Sequence, residues 1–96
     1  MKRAIKMHAK DNVCVVLEDV FTDDEVDTGE QVIIAREAVK MPHKIALVDI
    51  PTGKPVYKYG EQIGYTIADI KAGNHVHFHN MGSEDMMQKG ADSLDN

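Results

Sequence analysis

Three of the five histidines in this 96-residue sequence fall in one stretch, His75-Val76-His77-Phe78-His79-Asn80, where they alternate with apolar residues. An imidazole can accept or donate a proton near neutral pH, ligate a divalent metal or hold an anion. Read as a β-strand, the stretch puts His75, His77 and His79 on one face and Val76 and Phe78 on the other. All three are candidate catalytic groups. Alternate Cα atoms of a strand lie about 6.5–7 Å apart, so two imidazoles reach one ion easily and three in a line do so with difficulty. Binding of one ion by all three is therefore not expected, and His77 and His79 are the candidate metal ligands. Asn80 is a candidate substrate contact or a turn former. The competing reading is a solvated strand face without chemistry.

His43-Lys44 is the second candidate. The lysine ammonium suits a substrate carboxylate, and His43 can give a hydrogen bond or a proton. A solvated loop opening the apolar run Ile45-Ala46-Leu47 is the alternative. Lys58, in Lys58-Tyr59-Gly60-Glu61, is a minor substrate-contact candidate. Gly60 there marks a turn, and Gly64 marks a bulge or a close backbone approach. Lys58 and Glu61 could pair across the turn with little effect on stability. The single cysteine, Cys14, excludes an intramolecular disulfide, and its apolar neighbours suggest a buried, inert thiol.

A chain of this length makes one domain. Its core must come from Val, Ile, Leu, Ala and Met, since tryptophan is absent and only 5% of residues are aromatic. Such a core gives limited stability alone, so association, including homo-oligomers, is plausible. A net charge of −5 argues against a nucleic-acid partner. Seven acids and no Lys or Arg lie between Glu18 and Glu30, whereas Lys40 to Lys58 holds four lysines and one acid, Asp49. The second segment is the better place for a carboxylate ligand. No segment approaches about 18 consecutive apolar residues, and the N-terminus lacks a signal-peptide apolar region. The expectation is a cytoplasmic protein with no membrane partner.

A turn pattern recurs in Asp19–Val26, Asp49–Val56 and Asp69–Val76: Asp, a β-branched residue, two variable residues, Gly or Asp, two more, then Val. This describes a strand end, a tight turn and a strand start, with Gly53, Gly73 and Asp23 available for positive φ. β-rich runs surround these turns at Ala4–Met7, Val13–Leu17, Gln31–Ala35, Lys44–Val48, Pro55–Tyr59, Ile63–Ile67 and His75–His79. Short strands at intervals of about ten residues indicate an all-β barrel or sandwich-like domain. Arg36–Lys40 has room for one helical turn at most. The polar, aperiodic stretch from Gly82 to Asn96 reads as a disordered acidic tail, so the domain spans 1–81 and the tail 82–96.

Three motifs in this order, His43-Lys44-Ile45-Ala46-Leu47, Lys58-Tyr59-Gly60-Glu61 and His75-Val76-His77-Phe78-His79-Asn80, resemble the SAF domain of altronate and galactarate dehydratases. The same domain forms the alpha subunit of sulfolactate sulfo-lyase. The likeness covers roughly residues 4 to 81. Pro42 stands where that family often has a Gly before the His-Lys pair. The resemblance implies a β-clip fold and a small subunit of a two-chain sugar-acid dehydratase. Its active site would be shared with a large catalytic subunit and would take a small hydroxy acid, with little activity from this chain alone. It also implies a divalent metal, Fe2+ or Mn2+, held mainly by the large subunit. Sulfolactate cleavage and a non-catalytic carboxylate-binding or assembly module are the alternatives.

Overall fold

The computed structural model describes residues 1–82, and the rest of the expected tail lies outside the described residues. The described residues form β1 (Lys2–Ile5), β2 (Val13–Val16), β3 (Glu25–Asp27), β4 (Val32–Ile34), β5 (Lys44–Ala46), β6 (Pro55–Lys58), β7 (Glu61–Thr66), β8 (His75–Val76) and β9 (Met81–Gly82), with no helix. Arg36–Lys40 is accordingly not helical: it makes a bend, and Val39 bridges to Val20. β9 takes in Gly82, one residue past the expected end of the domain. No helix among the described residues is long and apolar enough to cross a membrane.

The strands form two curled sheets, ordered β4-β3-β1-β2-β5-β8 and β6-β7-β9. One core cluster, including Cys14, Val16, Val20, Val26, Val39 and Ile45, lies within the larger sheet. A second, Val13, Ala46, Ile50, Val56, Ile70 and Val76, joins the larger sheet to the smaller. Methionine contributes less than expected. Met81 packs against the second cluster, but Met7 and Met41 are exposed. Cys14 is buried, and burial pushes its thiol up to about 12, against a small opposing influence of Lys6, so it is inert at neutral pH.

The recurrent turn organises the chain, and it occurs four times. The additional copy is Ala38–Ile45, with Val39 at the β-branched position and Pro42 where the others have Gly or Asp. The copies associate in pairs through the bridges Val20↔Val39 and Ile50↔Ile70. In three of the four, the leading Asp caps the turn of its partner copy. Asp19 Oδ1 accepts from Met41 N at 3.0 Å, Asp49 Oδ1 from Ala72 N at 2.9 Å and Asp69 Oδ1 from Thr52 N at 2.9 Å. Ala38 has no carboxylate to complete the set. Positive φ falls where the pattern requires it, at Asp23 (71°), Gly53 (82°) and Gly73 (91°).

Each turn also hands a carbonyl to a neighbouring strand end. Val16 N donates to His43 O at 3.1 Å and Ala46 N to Asn74 O at 2.9 Å. In this way β5, begun by the turn carrying His43, comes to lie beside β8, begun by the turn carrying His75. The register pairs Ile45 with His75 and Lys44 with Val76.

Candidate functional site

His75 and His77 do not belong to one strand. β8 ends at Val76, and residues 77–80 form a turn, which corrects the reading of His75–His79 as a strand. The cause is the amide of Asn80. Its Oδ1 accepts from His77 N at 3.0 Å, and its Nδ2 donates to His75 O at 2.7 Å. The backbone N–H groups of Asn80 and Met81 both donate to His77 O, and the chain reverses into β9. Asn80 is buried with both ends of its amide engaged in the turn, which makes it a turn former. Phe78, at 77% exposure, lies outside the core, its ring tilted 42° to that of His77 at 4.3 Å.

The turn does not scatter the imidazoles. His43, His75 and His77 stack with planes within 10–13° of parallel and centroids 4.9 Å (43–75), 4.4 Å (43–77) and 5.5 Å (75–77) apart. His43 Nδ1 and His75 Nε2 are 2.8 Å apart, so one carries the proton and the other accepts it. His79 lies at the exposed margin, its ring tilted 42° to His75 at 5.3 Å. The expected ligand pair His77 and His79 is therefore split. His77 groups with His43 and His75, whereas His79 groups with His75 and Glu37.

Glu37 is a site residue that the sequence does not reveal. Its Oε2 accepts from Asn74 Nδ2 at 2.8 Å and from His75 N at 3.1 Å, fixing the start of β8. The only hint in the sequence is its position directly before the Ala38–Ile45 turn, where an acid has no counterpart in the apolar pattern.

Charges complete the arrangement. Burial is the first cause holding the His75 imidazole below its ordinary value, followed by His43 and His79, with Glu37 opposing. His77 is lowered by burial, then by His43, Lys44 and His79. Both rings are thereby kept neutral near pH 7, the state that accepts a proton or ligates a metal. Lys44, half-buried, has its ammonium lowered by burial and then by repulsion from Lys58. Lys58 Nζ lies 4.9 Å from the centre of the Tyr59 ring. Lys58 and Glu61 are backbone partners in the hairpin, but none of the ion pairs among the described residues joins them. A Cβ on Gly64 would strike the Gly82 carbonyl, and the register of β6 and β7 slips beside it, so the close approach and the bulge expected there both occur.

Comparison with known proteins gives the family of the chain. The family described as the altronate/galactarate dehydratase SAF domain matches residues 2–84. The chain is 51% identical over 76 residues to the altronate dehydratase of Escherichia coli (strain K12), covering 79% of this chain and 15% of that protein. It is 38% identical over 80 residues to the altronate dehydratase of Bacillus subtilis (strain 168), covering 83% and 16%. To the (2R)-sulfolactate sulfo-lyase subunit alpha of Paracoccus pantotrophus it is 38% identical over 61 residues, 64% of this chain and 87% of that one. The chain thus spans about a sixth of the length of the altronate dehydratases it matches. With an all-β architecture, a family match over nearly every described residue and relatives that are lyases, the chain belongs to the altronate/galactarate dehydratase SAF domain family.

Proposed function

We propose that this domain supplies one wall of a sugar-acid dehydratase active site that a large catalytic chain completes, with altronate or a related hydroxy acid as substrate. The observation that carries the reading is the convergence of His43, His75 and His77 beside the Lys44 ammonium, on a domain so similar to altronate dehydratases. Dehydration removes the proton next to the carboxylate and expels the neighbouring hydroxyl. It needs a base, an acid for the departing oxygen and positive charge against the enediolate. A neutral His77 is suited to take the carbon-bound proton. The His43–His75 pair, sharing one proton, is suited to deliver it to the leaving hydroxyl, which departs as water. Lys44, with Lys58 behind it, is suited to the substrate carboxylate. His79, at the exposed margin, lies where a large chain would close over the site.

A divalent metal, Fe2+ or Mn2+, held mainly by the large chain, would grip the carboxylate and stabilise the enediolate as a Lewis acid. The donors on this chain, imidazoles with one carboxylate, suit Fe2+ better than Mn2+. A second reading, carbon–sulfur cleavage of sulfolactate, is favoured by the 87% coverage of the sulfo-lyase alpha subunit.

The test is an assay of the chain alone and mixed with its large dehydratase partner on altronate, galactarate and sulfolactate, with Fe2+, Mn2+ or Mg2+. The mixture should turn over one substrate and the chain alone none. If no mixture is active, the lyase reading fails and the domain is a binding or assembly module. His77→Ala should slow the assembled enzyme by well over about tenfold while the two chains stay associated. An unchanged rate would remove the imidazoles from the chemistry.

A further inference from the structure

His43 comes from the turn before β5, His75 from the start of β8 and His77 from the turn after it. Only the fold unites them, and their nitrogens all lie within 4.8 Å of one another. We propose that His43, His75 and His77 form a divalent transition-metal site on this chain itself, taking Zn2+, Co2+, Ni2+ or Fe2+ and leaving the remaining coordination positions open.

The geometry is close to what such an ion needs. A point equidistant from nitrogens at that spacing lies less than about 3 Å from each, and bonds of ~2.0–2.1 Å are reached when the rings close by under about 1 Å and turn out of their near-parallel stack so that the three in-plane lone pairs meet at the ion. The His43–His75 edge is already at 2.8 Å. For both of those nitrogens to ligate, the proton between them moves to the other nitrogen of its ring, and no charge is created.

The backbone on either side of each ring is fixed. Glu37 holds His75 N, Asn80 holds His77 N, and His43 N donates to Lys40 O at 2.7 Å. Such support fixes the backbone from which each ring projects. A donor set made of imidazoles selects these ions over Mg2+ and Ca2+, which prefer oxygen. The alternative group, Glu37, His75 and His79, shares His75 and depends on an exposed ring, so the two sets make different predictions.

The test of this inference is separate from that of the lyase reading, because the ion is bound by the chain alone; with the ion in place these nitrogens are ligands and do not carry the protons, so the two readings describe different states of one site. The test is a titration of the full 96-residue chain with Co2+, followed by its visible absorption, with Zn2+ as competitor. One Co2+ per chain is expected. His43→Ala, its milder companion His43→Gln, and His77→Ala should each weaken binding by roughly tenfold or more. His8→Ala and His79→Ala should leave it within about twofold. No saturable binding, or binding indifferent to both His43 variants, overturns the proposal. Weakening by His79→Ala and Glu37→Gln instead moves the ion to the alternative group and overturns it equally. A silent lyase assay with intact Co2+ binding would sink the dehydratase reading and leave this site standing.

Discussion

The turns that begin β3 and β6 and those that begin β5 and β8 have the same shape and different contents. The first two, Asp19–Val26 and Asp49–Val56, carry acids, prolines and a lysine on exposed loops and lead to strands that carry no histidine. The other two carry His43-Lys44 and Asn74-His75 at matching positions and feed strands that pair with each other. A single structural device, used four times, thus makes a site only where two copies deliver side chains to adjacent strands. The copy that departs furthest from the pattern, with Ala38 for Asp and Pro42 for Gly, is also the one that carries His43.

The glycines of the Asp49–Val56 and Asp69–Val76 turns break this comparison most sharply. Gly53 (φ 82°) has open space where a Cβ would go, whereas a Cβ on Gly73 (φ 91°) would strike the Ile34 carbonyl. Gly53→Ala meets only the cost of a left-handed residue, about 1 kcal/mol. Gly73→Ala meets that cost and a backbone collision, about 2–4 kcal/mol together. Urea denaturation of the two variants should separate them in that order. Equal losses would mean that the β4 edge yields to the turn before β8, and that His75 is positioned less firmly than its contacts indicate.

A smaller effect distinguishes the turns by pH. The folded-state values of His75 and His77 lie below the ordinary 6.5. The unfolded chain therefore binds more protons than the folded one as pH falls through 6.5, and stability drops there until the folded-state values are passed. The lowered Asp69 carboxyl, held first by the Thr52 backbone N–H and then by its hydroxyl, acts in a separate window. Its contribution is present above pH 3.8 and is lost as pH falls through its folded-state value. Denaturation midpoints should decline between pH 7.5 and 5.5 in the wild type and less in His77→Ala. An identical decline in the variant would show that His77 does not feel its neighbours.

Much of this was legible in the residues because it is local. Alternation and turn chemistry give six strand regions close to their observed places and the start of a seventh, β8, and positive φ is readable at Gly53, Gly73 and Asp23. β3 was missed because Glu25-Val26-Asp27 has one buried residue between two acids, too short to show a period. The Ala38–Ile45 turn was missed because Pro42 hides a pattern otherwise kept by Val39 and Ile45. His77–His79 has the period of a strand, and only the bonds of the Asn80 amide make it a turn. The stacking of His43 on His75 depends on the β5–β8 register, a pairing between residues 32 apart that no local pattern encodes.

The missing fourth cap gives the finest test of the comparison. Asp19, Asp49 and Asp69 each accept from the backbone of the partner turn, and the position equivalent to the accepted groups, opposite Ala38, is Thr22 N. Ala38 is exposed, so a carboxylate can be placed there without repacking. Ala38→Asp should raise stability by about 0.5 kcal/mol if its oxygen reaches Thr22 N as its counterparts do, discounted for repulsion from Glu37 and the acidic first turn. Asp19→Ala, which removes the one cap this pair has, should lower stability by about 1 kcal/mol. Thermal melts of the two single variants and the double variant resolve the terms. The gain should survive in Asp19→Ala, because the two carboxylates cap opposite turns, and it should grow with added salt as the repulsion is screened. A loss from Ala38→Asp at high salt would mean that the first pair of turns is not built like the second, and that the likeness between them ends at the Val20–Val39 bridge.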